Sequence, residues 1–336
     1  MTTVYLIRHA EAEGNLYRRV HGQYDSLVTE RGKAQISELS RRFDKVHIDA
    51  VYSSDLYRAR KTATAISVPK GLPIFADTRL REIYMGVWED RTFGDAQKFE
   101  TEQLVYLNND PWKWQVEGSE AYASVQSRMT ETIREIAQRH DGGSVAVFSH
   151  GMALRAFLCG VLGVSGESAV SRVKHLDNTS VSRVEYSGGA FALKYYNDNS
   201  HLSADNSTLG RQKWWRDKRG LDDTNIRFAQ AAPGSFRAIL GDAECGFLEL
   251  APDLYAEEGV GLITRYRIVE GFRGIGLGVQ LLGQTISVYR ALGRSRVRVA
   301  LASEFLKSAE FFERYGFEST APDVLEKDIR IPVEND

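Results

Sequence analysis

The chain has 336 residues, a length that suggests two domains. Its 43 basic residues stand against 45 acidic ones, for a net charge of −2. That balance argues against a general nucleic-acid or membrane-binding surface and leaves room for a local basic pocket. Two cysteines, Cys159 and Cys245, lie far apart in apolar stretches and read as buried free thiols, not as a disulfide or metal site. The opening MTTVYLIRHA has neither a basic start nor a long apolar segment, so it reads as a first strand. No window reaches membrane-span length, and the cytoplasm is the expected location.

Taken in order, strand-like and helix-like segments alternate. TVYLI is a short β-rich run, and TERGKAQISELSRRF puts Ile36, Leu39 and Phe43 on one helical face. AVYSS is a second strand. DLYRARKTATAI follows with Leu56, Ala59, Ala63 and Ile66 at helical spacing and Ser54 as its expected N-cap. The helix MTETIREIAQRH, the very apolar strand in GGSVAVFSHG and the helix MALRAFLCGVLG continue the alternation. SVSRVEYSGGAFALKYYN reads as a hairpin turning at Ser187-Gly188-Gly189. The expected fold class is α/β, with a mostly parallel sheet flanked by helices.

Near residue 200 the texture becomes polar and charge-rich. We place the boundary there: residues 1–202 as one domain, 203–222 as a linker with a short helix bearing Trp214 and Trp215, and 223–336 as a second domain. The two tryptophans read as packing between the domains. The second domain offers NIRFAQ, SFRAILG, CGFLELA and GVGLITRYRIV as strands, then a glycine-rich turn and a helix. RVRVALA, the helix FLKSAEFFERYG and the strand LEKDIRI complete an α+β pattern.

The two most apolar strands of the first half both end in histidine, YLIRHA at His9 and VAVFSHG at His150. Ligands of an open α/β sheet bind beyond the carboxyl ends of its strands, where helix N-termini also point. If these strands are neighbours, His9 and His150 meet there with Arg8, and with Arg58 from the first turn of the helix after Ser54. Such a cluster of cations suits a phosphate monoester. Taken alone, the Arg-His pair reads as a surface pair and Glu82 as a partner of Arg79 or Arg81.

RHAEAEGN, SSDLYRARKTA, LREIYMGVWED and FSHG stand in the order and approximate spacing of the histidine phosphatase (phosphoglycerate mutase-like) superfamily. HGQYDSLVTERGKAQ, GSEAYASVQSRM and YNDNSHL are also similar to its members, and the resemblance covers about residues 1–202. It implies His9 as a nucleophile that forms a phosphohistidine, with Arg8, Arg58 and His150 holding the non-bridging oxygens. It implies Asn15 as a further phosphate contact and Glu82 as the group that protonates the leaving oxygen and then activates water. An anionic phosphate favours the protonated form of a neighbouring carboxyl, which suits that role. No metal or cofactor is implied. Ala10 and Ala12 replace a usual Gly and a common Thr. The segment from Trp88 to Gly118 supplies a short lid, more like the phosphatases than the mutases, with Trp112 and Trp114 read as lid packing. A hydrolase of small-molecule phosphomonoesters is expected, with a phosphoglycerate mutase-type transfer as the alternative.

YRIVEGFRGIGLGVQLLGQTISVYRALG runs strand, turn, helix, with Leu282, Ile286 and Tyr289 on one helical face. Arg273, Gly274, Gly276 and Gly278 occupy the turn in an R-x-x-G-x-G arrangement. Glycines admit a pyrophosphate close to the backbone, and the helix N-terminus adds its dipole. A dinucleotide fold would place such a turn in a first βαβ unit, whereas the strands here look like hairpins. Over about residues 223–336 the segment resembles the GNAT acyltransferases, whose equivalent turn binds the pyrophosphate of acetyl-CoA. SAEFFERYGFE resembles that family's fourth helix. Two departures stand out. NIRFAQ runs almost directly into SFRAILG without the two helices usual between them. Phe312 occupies the place of a proton-donating tyrosine, Tyr315 lies elsewhere on the helix, and Glu257 and Glu258 read as a solvated turn. The resemblance implies acetyl-CoA-dependent N-acetyl transfer, or a non-catalytic acyl-CoA-binding regulatory domain.

Overall fold

The computed structural model describes residues 1–212, 217, 219–301 and 308–332. Trp214 and Trp215 lie outside the described residues, as does the start of the expected helix FLKSAEFFERYG. The described residues form two compact units, and the division follows no single cut. One holds Met1–Ala12, His21–Glu89 and Glu100–Asp222; the other holds Glu13–Val20, Asp90–Phe99 and the chain from Asp223 onward.

In the N-terminal unit, β1 (Thr2–Arg8), β2 (Ala50–Ser53), β3 (Ile74–Ala76), β4 (Ser144–Ser149), β5 (Val181–Ser187) and β6 (Ala190–Asp198) form one sheet ordered β3-β2-β4-β1-β5-β6. The first four strands pair in parallel, and β5 and β6 add antiparallel. Every residue of β2 and all but one of β4 are buried. Strands covered on both faces need continuous apolar runs, which is why AVYS and VAVFS show no alternation. The β5–β6 hairpin turns at Gly188 and Gly189, with φ of 58° and 85°. A two-residue hairpin loop with two positive φ values favours glycine at both places.

Helix Glu30–Phe43 starts where Thr29 accepts a hydrogen bond from the Gly32 N–H, and it buries Leu39 and Phe43 against Ile7, Val51 and Phe148. The helix carrying Arg58 starts later than expected, at Tyr57, and Ser54 is not its N-cap. Leu56 is extended and the helix begins only at Tyr57, so Ser54 lies too early, and the Tyr57 N–H is capped by Asp25 Oδ2 at 2.7 Å.

In the C-terminal unit, β7 (Arg227–Ala232), β8 (Ser235–Leu240), β9 (Ala243–Ala251), β10 (Val260–Ile268), β11 (Arg296–Ala300), β12 (Glu318–Ala321) and β13 (Val324–Asp328) form a sheet ordered β12-β13-β11-β10-β9-β8-β7. Only Pro233 and Gly234 join β7 to β8, so the two helices missing from the sequence pattern are absent from that connection. Helix Gly278–Ala291 buries Leu282, Ile286 and Tyr289, as its spacing predicts. Tyr17 belongs to the same core, with Leu16 packed against it. Cys159 and Cys245 are buried and free. No described helix is long and apolar enough to cross a membrane.

Candidate active site

Parallel pairing sets Arg8 opposite Ser149, so β1 and β4 end side by side and release His9 and His150 together. Their ring centroids lie 5.1 Å apart. The His9 backbone N–H donates to the Ser149 carbonyl at 2.9 Å, and Asn178 Nδ2 donates to the His9 carbonyl at 2.9 Å. His9 Nδ1 lies 2.7 Å from the Ala10 carbonyl. A carbonyl only accepts, so Nδ1 carries the proton and Nε2 keeps its lone pair. Burial, then the Arg58 and Arg8 charges, hold the His9 pKa well below the ordinary imidazole value. Burial, Arg58 and His9 do the same for His150, whose Nε2 lies 2.9 Å from Ser54 Oγ.

Arg58 is buried and Arg8 half-buried, and both are held largely by backbone carbonyls. Arg8 Nη1 donates to Leu176 at 2.5 Å, and its guanidinium lies over Gly151, where a Cβ would come within 3.2 Å of Nε. Arg58 donates to the carbonyls of Gly22 at 2.5 Å and Tyr24 at 3.0 Å, and pairs with Asp25 at 3.5 Å. The loop that supplies these carbonyls hangs from Glu89. Its carboxylate accepts from the backbone N–H groups of Gly22, Gln23 and Tyr24, and from that of Met85. Asp25 and Glu89 are site-building residues that the sequence reading missed. Both stood in quoted motifs, HGQYDS and GVWED, but nothing local marks a carboxylate that collects N–H groups from 32 residues away, as Asp25 does, or from more than 60, as Glu89 does.

Glu82 is buried at the start of helix Gly151–Leu162. Its Oε1 accepts from Ala153 N at 2.8 Å and from Ile83 N at 3.0 Å, and its Oε2 accepts from Met152 N at 3.0 Å. Arg128 braces it by donating to the Glu82 carbonyl at 3.0 Å while chelating Glu120 at 2.7 and 2.9 Å. The ion-pair alternative fails, because Arg79 pairs with Asp77 and Glu135, and Arg81 with Asp55. The structure therefore gathers His9, Arg8, Arg58, His150 and Glu82 around the ends of β1 and β4. Asn15 sits in helix Glu13–Tyr17, which groups with the C-terminal unit. Ala10 is not at positive φ, so its methyl costs nothing there, and its N–H donates to Thr62 Oγ1 at 2.8 Å. Ala12 is buried in a bridge to Val28. Of the expected lid, residues 100–118 stay in the N-terminal unit, where Trp114 packs on Trp88 and Trp112 on Tyr122.

In the C-terminal unit, Gly274 and Gly276 have φ of 81° and 84°, and among the described residues no atom beyond their chain neighbours lies within 4 Å of where a Cβ would stand. Conformation, not crowding by the described residues, requires these glycines. At Gly278 a Cβ would come within 3.2 Å of the Phe311 ring. Arg273 is exposed, with Nε donating to the Ile268 carbonyl at 3.0 Å. The pairing of β10 with β11 stops at Ile263, five residues before β10 ends. Phe312 is buried among Tyr266, Phe311 and Phe317, while Glu257 and Glu258 are exposed in a turn.

The strand ends of the sheet bring together two histidines, two arginines and a carboxyl, an arrangement suited to a phosphate ester, and the comparisons place the chain in a family. Residues 4–199 match the family model of the histidine phosphatase superfamily (branch 1), and the chain belongs to that superfamily. Residues 200–317 match the model of the acetyltransferase (GNAT) family. Among relatives, phosphoserine phosphatase 1 of Hydrogenobacter thermophilus is 34% identical over 164 residues, 49% of this chain and 78% of that one. The probable phosphoglycerate mutase GpmB of Escherichia fergusonii is 32% identical over 209 residues, 61% of this chain and 96% of that one. Among solved structures, YhfR of Bacillus stearothermophilus matches with a TM-score of 0.57 at 31% identity, covering 60% of this chain and 99% of YhfR. A phosphoserine phosphatase of Entamoeba histolytica in complex with phosphoserine matches at 0.53 and 26% identity, covering 60% of this chain and all of that one.

Proposed function

We propose that the N-terminal unit is a phosphomonoesterase working through a phosphohistidine on His9. One observation carries this reading: the Nδ1–H bond to the Ala10 carbonyl, which leaves the Nε2 lone pair free on a neutral, buried imidazole. Nε2 attacks phosphorus as the bond to the leaving oxygen breaks, and Glu82 in its acid form gives that oxygen its proton. Arg8, Arg58 and His150 hold the non-bridging oxygens, whose charge they stabilise in the transition state, and Asn15 is a further phosphate contact. Water then attacks the phosphohistidine, Glu82 takes back a proton, and inorganic phosphate leaves.

The two phosphoserine phosphatases among the relatives support hydrolysis of a small phosphomonoester of the phosphoserine type. The GpmB relatives support mutase-type transfer as the second reading. Incubation with phosphoserine and with 3-phosphoglycerate separates the two: inorganic phosphate marks the hydrolase, and an isomerised phosphoglycerate the mutase.

For the C-terminal unit the reading is acyl-CoA binding. The pyrophosphate takes N–H bonds from Arg273–Gly278, and the pantetheine amides add along the end of β10 that β11 leaves unpaired. The buried Phe312 has no proton to give, which favours a regulatory acyl-CoA module; N-acetyl transfer with another proton donor is the alternative. Acceptor-dependent release of CoA decides between them.

A further inference from the structure

Two side chains inside the N-terminal unit have no task in the reading above. Arg155 lies on helix Gly151–Leu162 and Tyr122 opens helix Tyr122–Arg139, and they are only 1% and 2% exposed. Arg155 is held on two sides by backbone: Nε donates to the Val173 carbonyl at 3.0 Å and Nη1 to the Asn108 carbonyl at 3.3 Å. Its Nη2 and the Tyr122 hydroxyl have no hydrogen-bond partner among the described residues. Nor does a carboxylate pair with Arg155 among them. Asp110, two residues after Asn108, is engaged by Lys113 at 3.0 Å, and Glu82 by the N–H groups of Met152 and Ala153. A buried guanidinium with no anion and with N–H groups left over is costly for a fold to keep.

Its place ties it to the phosphate pocket. Gly151, over which the Arg8 guanidinium lies, stands four residues before Arg155 and shares its helix face. Helical side chains lean toward the helix N-terminus, so Arg155 leans toward that turn. One short segment holds both arginines, Arg155 on the Val173 carbonyl and Arg8 on the Leu176 carbonyl. Three residues of chain span at most about 11 Å. Burial, then the Arg155 and Arg8 charges, push the His175 imidazole well below its ordinary value, so both cations act on one group in that segment. Burial pushes the Tyr122 phenol up, the Arg155 charge opposes this, and Cys159 and Glu82 add to it. The lid closes on the same phenol, with the Trp112 ring edge-on to Tyr122 at 4.8 Å.

We propose that Arg155 Nη2 and the Tyr122 hydroxyl form a carboxylate subsite beside the phosphate pocket, which selects phosphate monoesters of small hydroxy acids. The inference rests on the reading of this unit as a phosphomonoesterase and names its substrate class. A carboxylate a few bonds from the ester oxygen matches the short span from Arg8 to Arg155. It supplies the buried guanidinium with a counter-charge through a charge-assisted hydrogen bond, and it accepts a second bond from the phenol.

The test compares O-phosphoserine with O-phosphoethanolamine, which differ by one carboxylate. Calorimetry on the full chain carrying His9→Ala reads binding without turnover. Phosphoserine should bind about ten- to a hundred-fold more tightly. Adding Arg155→Met should remove most of that preference. Adding Tyr122→Phe, which deletes one oxygen, should cut it about three- to tenfold. With His9 intact, the ratio of kcat/KM for the two esters should fall in the same order, and a loss of folded protein cancels in that ratio. Absent binding, equal affinity for the two esters, or a preference that neither substitution moves would overturn the subsite. No phosphate release from either ester by the His9 chain, with the preference in affinity present and lowered by both substitutions, would instead overturn the phosphomonoesterase reading and leave the subsite standing.

Discussion

The site at His9 and the turn at Gly274–Gly278 differ in what is built before any ligand arrives. At His9 the cations are buried or half-buried, and each is oriented by carbonyls or carboxylates, Arg58 by Gly22 and Tyr24, whose loop hangs in turn from Glu89. At the turn, the side chains are exposed and the main chain is what is set, through two glycines at positive φ and a helix start. On the proposed reading, the first site would stabilise charge with preorganised side chains whose desolvation is met during folding. The second offers backbone N–H groups and a dipole. Side-chain sites should therefore fail on small chemical changes, and main-chain sites only when the backbone path changes.

The largest effect tests the proposed role of His9 as nucleophile. His9→Ala should lower turnover by about 10³-fold or more and remove all acid-labile phosphate trapped by rapid quench. A variant that still traps it would move the phosphoryl group to another residue. Next comes Glu82→Gln, which keeps the shape of the group and most of its N–H contacts. Alkyl phosphates should slow by about 10²- to 10⁴-fold and an aryl phosphate far less, because a good leaving group needs little protonation. Equal losses would mark Glu82 as a support for the helix start only.

Arg58→Lys sharpens the comparison further. A lysine cannot serve the carbonyls of Gly22 and Tyr24 and a phosphate in one planar fork, so kcat/KM should fall by roughly 10²-fold despite the retained charge. A near-normal Arg58→Lys enzyme would mean that charge alone matters here.

Smaller again is a pH effect on stability. Folding holds His9 and His150 neutral, since burial and Arg58 push both pKa values well below 6.5. The unfolded chain binds protons near pH 6.5 that the native one refuses, so stability is full above that pH and falls as pH drops below it. Each histidine contributes a slope of up to about 1.4 kcal/mol per pH unit. Thermal melts from pH 7.5 to 5.5 should show a declining Tm, and a flat profile would contradict the buried neutral pair.

The smallest effect on phosphatase activity is expected from the turn. Gly276→Val forces a β-branched residue to φ near 84°, at a cost of about 1–3 kcal/mol, with no Cβ clash among the described residues. Calorimetry should show CoA affinity down at least about tenfold, with p-nitrophenyl phosphate hydrolysis unchanged. Unchanged CoA affinity would remove the turn from the ligand site.

Much of this was legible in the residues. Apolar runs bounded by turn residues marked β1, β4 and the β5–β6 hairpin, because period and glycine placement are local physics. His9, His150, Arg58 and Glu82 stood in motifs whose spacing is fixed by the elements that carry them. The N-cap of the Arg58 helix was misplaced because its cap comes from Asp25, 32 residues earlier in the chain. Asp25 and Glu89 escaped notice for the same reason: their partners are backbone N–H groups and a guanidinium that only the folded chain brings near.

By itself, then, the sequence determined the local grammar: which segments are strands and helices, which glycines turn them, and which side chains are candidates for phosphoryl chemistry. Tertiary structure alone decided that β1 and β4 are neighbours, which turns two separate His residues into a pair 5.1 Å apart. It also decided that Glu13–Val20 and Asp90–Phe99 group with residues more than 120 positions away. No linear boundary could show this, because a short helix is held by whatever buries its apolar face and pairs its charge. For Tyr17 and Glu13 those partners are Gly283 and Arg290.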